Sequence, residues 1–256
     1  MNKPFPKSAV AVSNIGLRRK ENQDIAFLEG EYIRDKSIVF EECIVTYPFI
    51  AAVADGMGGH AAGEIASEIA LKGLEITIKG LPSETWDDKQ KASDKITEII
   101  TGLHYEILDI SKENSNMEKM GTTLTGIIVG ATGNKYMFHV GDTRLYLFQN
   151  DDLTQLTRDH SIKREKSVSF ASNALVNSMG GGTDKFYVDF LEISEKVYAG
   201  DLLLLSSDGL HDLVTYDEII EVLNMDTSLQ EKSQLLLQKA LDGGGYDNIT
   251  FVLLEF

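Results

Sequence analysis

The stretch from Phe49 to Gly63 constrains this chain most. Phe49 to Ala54 is unbroken apolar sequence, Asp55 ends it with a carboxylate, and Gly56, Gly58 and Gly59 follow within four residues. Ile65, Ile69 and Leu74 then recur at near-helical spacing. The pattern predicts a strand, a tight turn and a helix from Gly63 to Lys79. The carboxylate sits at the strand's end, where side chains from several strands can converge on one ligand.

Three further aspartates repeat that setting. Asp208 follows the apolar run Leu202 to Leu205 and precedes Gly209, and Asp247 sits between Gly243-Gly244-Gly245 and a final strand, Asn248 to Phe256. Asp142 lies in the turn Gly141-Asp142-Thr143. Any one of them reads as a turn or cap residue. Four strand-end aspartates beside glycine point instead to a hard divalent cation, which takes oxygen ligands and few carboxylates per ion. Glycine lets the backbone approach the ion and frees a carbonyl, such as that of Gly56, to bind it.

The chain carries 40 acidic and 24 basic residues, a formal charge of −16, which opposes nucleic acid and anionic membranes as partners. With 43% hydrophobic and 25% charged residues the composition is that of a soluble globular protein. A single cysteine, Cys43, excludes an intramolecular disulfide framework and a cysteine-rich zinc site. The apolar piece Ala9 to Val12 is too short for a signal-peptide core, and no window approaches the roughly 18 apolar residues of a membrane span. A cytoplasmic protein is expected.

Along the chain, strands are predicted at Ala9–Val12, Ile25–Leu28 and within Ser37–Tyr47. Ile96, Ile99, Ile100, Leu103, Ile107 and Ile110 trace one helical face. Thr122–Ala131, Tyr136–Val140 and Leu145–Phe148 read as an antiparallel meander, and Val188–Ile193 and Asp201–Ser206 as two more strands. Leu210–Leu223 and Leu229–Leu241 read as helices. Arg158 to Lys185 lacks apolar periodicity and reads as a long surface excursion. No internal repeat or linker divides the chain, so one domain over residues 1–256 is expected, with helices packed on antiparallel sheets.

A competing pattern is Gly56-x-Gly58-x-x-Ala61 after a strand and before a helix, with Glu75 about 20 residues on, which fits a dinucleotide fingerprint. Its placement is wrong. Glu75 falls inside the same helix, and no alternating strand–helix series follows. His60 and His160 read as capping or structural residues, and His104, His139 and His211 lack metal-type spacing.

The blocks Arg19-Lys20-Glu21-Asn22-Gln23-Asp24, Val53-Ala54-Asp55-Gly56-Met57-Gly58-Gly59 and Gly121-Thr122-Thr123-Leu124 resemble the metal-dependent protein phosphatases of type 2C, the PPM family, in their bacterial form. So do His139-Val140-Gly141-Asp142-Thr143-Arg144, Leu156 to Ser161, Ser206-Ser207-Asp208-Gly209-Leu210 and Gly245 to Thr250. The resemblance spans nearly the whole chain in order. It implies an α+β fold, a four-layer αββα sandwich of two antiparallel sheets flanked by helix pairs. It also implies a serine/threonine protein phosphatase that uses two Mn2+ or Mg2+ ions, with a third at a weaker site, and attacks phosphorus with a metal-bridging hydroxide.

By the same resemblance Asp55 bridges the two ions, Asp208 and Asp247 complete one of them, and the Gly56 carbonyl serves the other. Asp24 holds metal-bound water, Arg19 grips the phosphate oxygens, and Asp142 with Asp208 and Asp212 binds the third ion. Residues 158–185 correspond to a flap beside the cleft, whose Lys163, Arg164 and Lys166 are candidate contacts to acidic phosphoprotein. Phosphoprotein substrates of a Ser/Thr kinase and a monomeric state are the implied associations.

Two positions depart from the family pattern. Gln23 stands where many members have glutamate. Met57 stands where some members carry a histidine proposed as general acid, and a thioether cannot donate that proton. The alternative to an enzyme is a phosphatase-like binding or regulatory protein without turnover. The full set of candidate metal aspartates opposes it.

Overall fold

The computed structural model describes residues 5–42, 47–58, 61–162, 174–181 and 185–256. In chain order it begins with β1 (Ser8–Asn14), β2 (Ile25–Leu28), β3 (Glu31–Ile33), β4 (Lys36–Phe40), β5 (Phe49–Ala54) and β6 (Gly56–Met57). Two long helices follow, α1 (Ala62–Lys79) and α2 (Lys89–Glu113), then β7 (Gly121–Thr122), β8 (Leu124–Val129), β9 (Lys135–Val140), β10 (Arg144–Gln149) and β11 (Asp152–Gln155). The short strands β12 (Ser161–Ile162), β13 (Ala174–Leu175) and β14 (Met179–Gly180) precede β15 (Asp189–Glu192) and β16 (Leu202–Ser206). The chain closes with α3 (Asp208–His211), α4 (Tyr216–Leu223), α5 (Leu229–Asp242) and β17 (Ile249–Glu255).

Two six-stranded antiparallel sheets carry the architecture, in the orders β11-β10-β16-β17-β1-β4 and β15-β9-β8-β5-β2-β3. Their central strands are apolar on both faces, and the two-residue period sorts the side chains. On β16, Leu203 and Leu205 face the core between the sheets, while Leu202 and Leu204 face α3, α4 and α5. On β5, Phe49, Ala51 and Val53 point to the inter-sheet core, and Ile50, Ala52 and Ala54 to α1 and α2. A strand covered on both faces has no solvated side to alternate with, which is why Leu202 to Leu205 is continuous leucine. Each such leucine, fully buried, contributes about 2–3 kcal/mol of transfer free energy. The class is therefore α+β, as the sequence predicts.

The structure corrects the predicted elements in three places. Strand β10 does not continue the meander of β8 and β9; it crosses to the other sheet and pairs with β11 and β16. There Leu145 and Leu147 enter the inter-sheet core while Tyr146 and Phe148 cover the helical side, so both faces of the strand are satisfied. The expected helix Leu210–Leu223 is broken. Thr215 begins α4 with a capping box, its hydroxyl accepting from the Glu218 amide at 3.3 Å and its own amide donating to the Glu218 carboxylate at 2.9 Å, so α3 stays a single turn.

The excursion after Arg158 is not structureless where it is described: β12 pairs with β13, and β14 pairs with β7. Lys163, Arg164 and Lys166 lie outside the described residues, as do Cys43, Ile44, Val45, Gly59 and His60. No helix among the described residues is long and apolar enough to cross a membrane.

Candidate metal centre

The chain turns that follow β5, β9 and β16, and the one that precedes β17, open on one cleft of about 590 Å3. Asp55, Asp142, Asp208 and Asp247 line it, each from a different turn, together with Arg19, Gly56 and Met57. The sheets converge these turns because the strands that end there, β5 and β9 in one sheet and β16 and β17 in the other, face each other across the inter-sheet core.

Asp55 is fixed through its backbone. Its amide donates to Thr123 Oγ1 at 3.0 Å, and its carbonyl accepts from the Thr123 amide at 2.9 Å and the Thr122 hydroxyl at 3.0 Å. The carboxylate is thereby left to the cleft. Gly56 is wedged beside it: a Cβ there would stand 2.1 Å from the Gly63 carbonyl oxygen and 2.6 Å from that of Gln23. Only glycine lets α1, the Asp55 turn and the Gln23 loop approach this closely.

Asp247 is held differently. Its Oδ1 accepts from the Asn248 amide at 2.8 Å, and its Oδ2 is ion-paired with Arg19. Asn248, buried behind it, accepts from the Gln23 amide at 2.9 Å and donates to the carbonyls of Ile15 and Glu21, both at 3.0 Å. One amide thus ties the whole Ile15–Gln23 loop, Arg19 included, to the Asp247 turn. Met57 and Gln23 both reach the cleft wall, with Gln23 Nε2 donating to the Gly58 carbonyl at 3.3 Å.

Two predicted residues are not on the wall. Asp24 is 1% exposed and lies behind Asp55, accepting from Ser207 Oγ at 2.7 Å. Asp212 sits one turn below Asp208, its amide donating to the Asp208 carbonyl at 2.9 Å. Both still act on the cleft through charge. Burial first, then the fields of Asp24, Asp208, Asp142 and Asp247, hold the Asp55 carboxyl well above its usual range. Burial and then Asp247, Asp24, Asp142 and Asp212 do the same to Asp208. Burial lifts Asp24 to about 7, and burial with Asp159 lifts Asp142 to about 6.

Reasoning from sequence passed over Thr123, Ser207 and Asn248, although each lies inside a quoted block. They hold ligand candidates without being carboxylates, so no charge pattern marks them. The dinucleotide pattern at Gly56–Ala61 is excluded by topology, since β5 pairs antiparallel with both neighbours and no βαβ unit exists there.

Residues 43–243 match the family described as Protein phosphatase 2C. The chain belongs to the protein phosphatase 2C family. It is 35% identical over 223 residues to the serine/threonine phosphatase stp of Listeria monocytogenes, covering 80% of this chain and 84% of that protein. It is 31% identical over 261 residues to the protein phosphatase PhpP of Streptococcus pneumoniae, covering 95% of each. Among solved structures, the catalytic domain of the serine/threonine protein phosphatase PstP in complex with 2 manganese ions aligns with a TM-score of 0.73 at 28% identity, over 97% of this chain and 99% of that one.

The residues of this phosphatase 2C cleft fit hard cations. Among the described residues no three acidic or histidine side chains close into a compact ligand cluster. The donors are nevertheless the right kind, carboxylates with a glycine backbone beside them. Asp208 Oδ1 is buried without a hydrogen-bond partner, an arrangement that is costly unless a cation or proton meets it. The carboxyls of Asp55 and Asp208, raised by burial and then by the carboxylates around them, mark the same deficit of positive charge.

Proposed function

We propose that this chain is a metal-dependent serine/threonine protein phosphatase, and that Asp55, Asp208 and Asp247 with the Gly56 carbonyl hold two Mn2+ or Mg2+ ions. The observation that carries it is the convergence of Asp55, Asp142, Asp208 and Asp247 from four separate turns on one cleft, with Arg19 among its lining residues. When bound, two such ions activate water for in-line attack on phosphorus and neutralise charge on the phosphoryl oxygens.

The chain's own residues then position and exclude. Arg19, restrained by Asp247, presents a planar guanidinium suited to paired phosphoryl oxygens. Thr122 and Thr123 keep the Asp55 backbone from moving as the carboxylate binds. Asp24, buried and hydrogen-bonded to Ser207, orders the ligand shell from behind. Asp142, with Asp208 and Asp212, offers the weaker third position. Met57 lines the cleft without a transferable proton, so the proton for the leaving alkoxide would come from a metal-bound water when the ions are held.

Phosphoproteins made by a cytoplasmic Ser/Thr kinase are the proposed substrates, and a monomer is the proposed working state. That residues from Ala9 to Leu254 meet in one inter-sheet core supports a single functional unit over residues 1–256. Its flap, at residues 158–185, is proposed to border the cleft, supported by Leu175 on the cleft wall.

The test is phosphate release from a phosphothreonine peptide, with manganese and with chelator, beside Asp208→Ala. Manganese-dependent release that Asp208→Ala abolishes supports the assignment. Equal rates for intact, chelated and mutant protein overturn it.

A further inference from the structure

The cleft has a rim that the metal chemistry does not use. Leu17 and Tyr246 are large apolar side chains left 62% and 58% exposed, two residues and one residue along the chain from the cleft-lining Arg19 and Asp247. They belong to two loops joined edge to edge, since the Leu17 amide donates to the Gly245 carbonyl at 2.8 Å. Arg19 and Asp247, the next residues beyond Arg18 and Tyr246, line the cleft itself. Arg18 and Tyr246 are therefore chain neighbours of the cleft-lining Arg19 and Asp247, and Leu17 is one residue further out.

This rim is built rigidly. Gly244 has φ +116, and a Cβ on it would lie 2.5 Å from the Tyr246 ring, so the ring lies directly over the Gly244 backbone. The Arg18 guanidinium stands over the same ring, 5.8 Å from its centroid, within cation–π range. An exposed aromatic held in one orientation loses little conformational freedom on binding, which is how recognition surfaces use tyrosine. Its charge also departs from the rest of the molecule. Arg18, Arg19 and Lys20 are consecutive cations in a chain of formal charge −16.

Resting on the phosphatase reading above, we propose that Leu17, Arg18 and Tyr246 form a docking ledge for the substrate residues that flank the phosphorylated side chain. The ledge selects phosphopeptides with an apolar residue and a carboxylate beside the phosphothreonine. Leu17 and Tyr246 take the apolar side chain, and Arg18 pairs with the carboxylate. The peptide's negative charge is drawn to the basic run Arg18-Arg19-Lys20, of which Arg19 and Lys20 line the cleft of an acidic protein.

The experiment uses the manganese-loaded full chain and three substrates: a phosphothreonine peptide flanked by Leu and Glu, the same peptide with Lys for Glu, and p-nitrophenyl phosphate. The intact protein is expected to prefer the Glu peptide over the Lys peptide by about fivefold in kcat/KM, the scale of one rim contact. Arg18→Glu reverses that order. Tyr246→Ala lowers the ratio of peptide to p-nitrophenyl phosphate kcat/KM by about fivefold through KM. No preference between the peptides in the intact protein, or variants that depress all three substrates by one common factor, overturns the ledge while leaving the phosphatase reading intact. Absence of manganese-dependent turnover of p-nitrophenyl phosphate overturns the phosphatase reading and the ledge with it.

Discussion

Ser207 and Asp24 are joined by a buried hydrogen bond, the hydroxyl donating to Asp24 Oδ2 across 2.7 Å while Ser207 Oγ itself accepts from the Thr250 amide at 3.0 Å. The bond crosses 183 residues of sequence and connects the loop before β2 to the end of β16. Ser207→Ala takes one hydrogen-bond donor from the buried Asp24 carboxylate and removes the acceptor of the Thr250 amide. A loss of about 1–3 kcal/mol is expected in urea unfolding, because a buried polar group without its partner keeps its full desolvation cost. Unchanged stability would show that solvent reaches Asp24.

Metal binding and pH are linked through the same carboxyls. Asp24 at about 7 and Asp142 at about 6 both titrate above the ordinary 3.8. A folded pKa above the unfolded one gives stability that is fully present below the unfolded value and is lost as pH rises through the folded value. The metal-free chain should therefore lose thermal stability between about pH 5 and pH 7.5, and manganese should restore it by holding the carboxylates ionised. The Tm gain on adding manganese, measured by calorimetry, grows across this window. A gain independent of pH contradicts the account.

His139 works in the opposite direction. Burial, with a smaller contribution from His160, lowers it to about 4 from 6.5, while its ring is held by Thr125 Oγ1 at 2.7 Å and the Arg158 carbonyl at 3.1 Å. A histidine with a depressed folded pKa contributes stability above pH 6.5 that is lost as pH falls toward 4, because only the unfolded chain takes the proton there. His139→Gln should flatten that part of the stability curve relative to the intact protein, read by denaturant unfolding at fixed pH steps. Parallel curves would exclude the neutral buried imidazole.

Much of this site was legible because an apolar run that stops on aspartate and glycine is a local signal. Asp55, Asp142, Asp208 and Asp247 all reach the cleft for that reason. The crossing of β10 to the second sheet was not legible, since Leu145 to Phe148 has the same apolar character whichever sheet receives it. The break after α3 had a signal, Thr215 three residues before Glu218, which the apolar spacing across Leu210–Leu223 masked. The burial of Asp24 depends on Ser207 and Asp55, distant in sequence, so no reading of the Arg19–Asp24 block alone places it behind the wall.

Gly56→Ala tests the packing of the turn itself. The added Cβ would meet the Gly63 carbonyl oxygen at 2.1 Å, and backbone on both sides must shift. A loss of about 2 kcal/mol or more is expected, on the scale of overpacking strain, together with most of the activity. Wild-type stability in this variant would mean that α1 and the Asp55 turn are not packed as described.

The most direct test of the central claim is calorimetric titration of manganese into the full chain and into Asp55→Asn. The intact chain is expected to bind two ions at neutral pH, and Asp55→Asn, which keeps the shape but removes the carboxylate's charge, to lose at least one of them while remaining folded by circular dichroism. Two ions bound to Asp55→Asn with unchanged affinity would contradict the claim that the carboxylate at the end of β5 joins the metal pair.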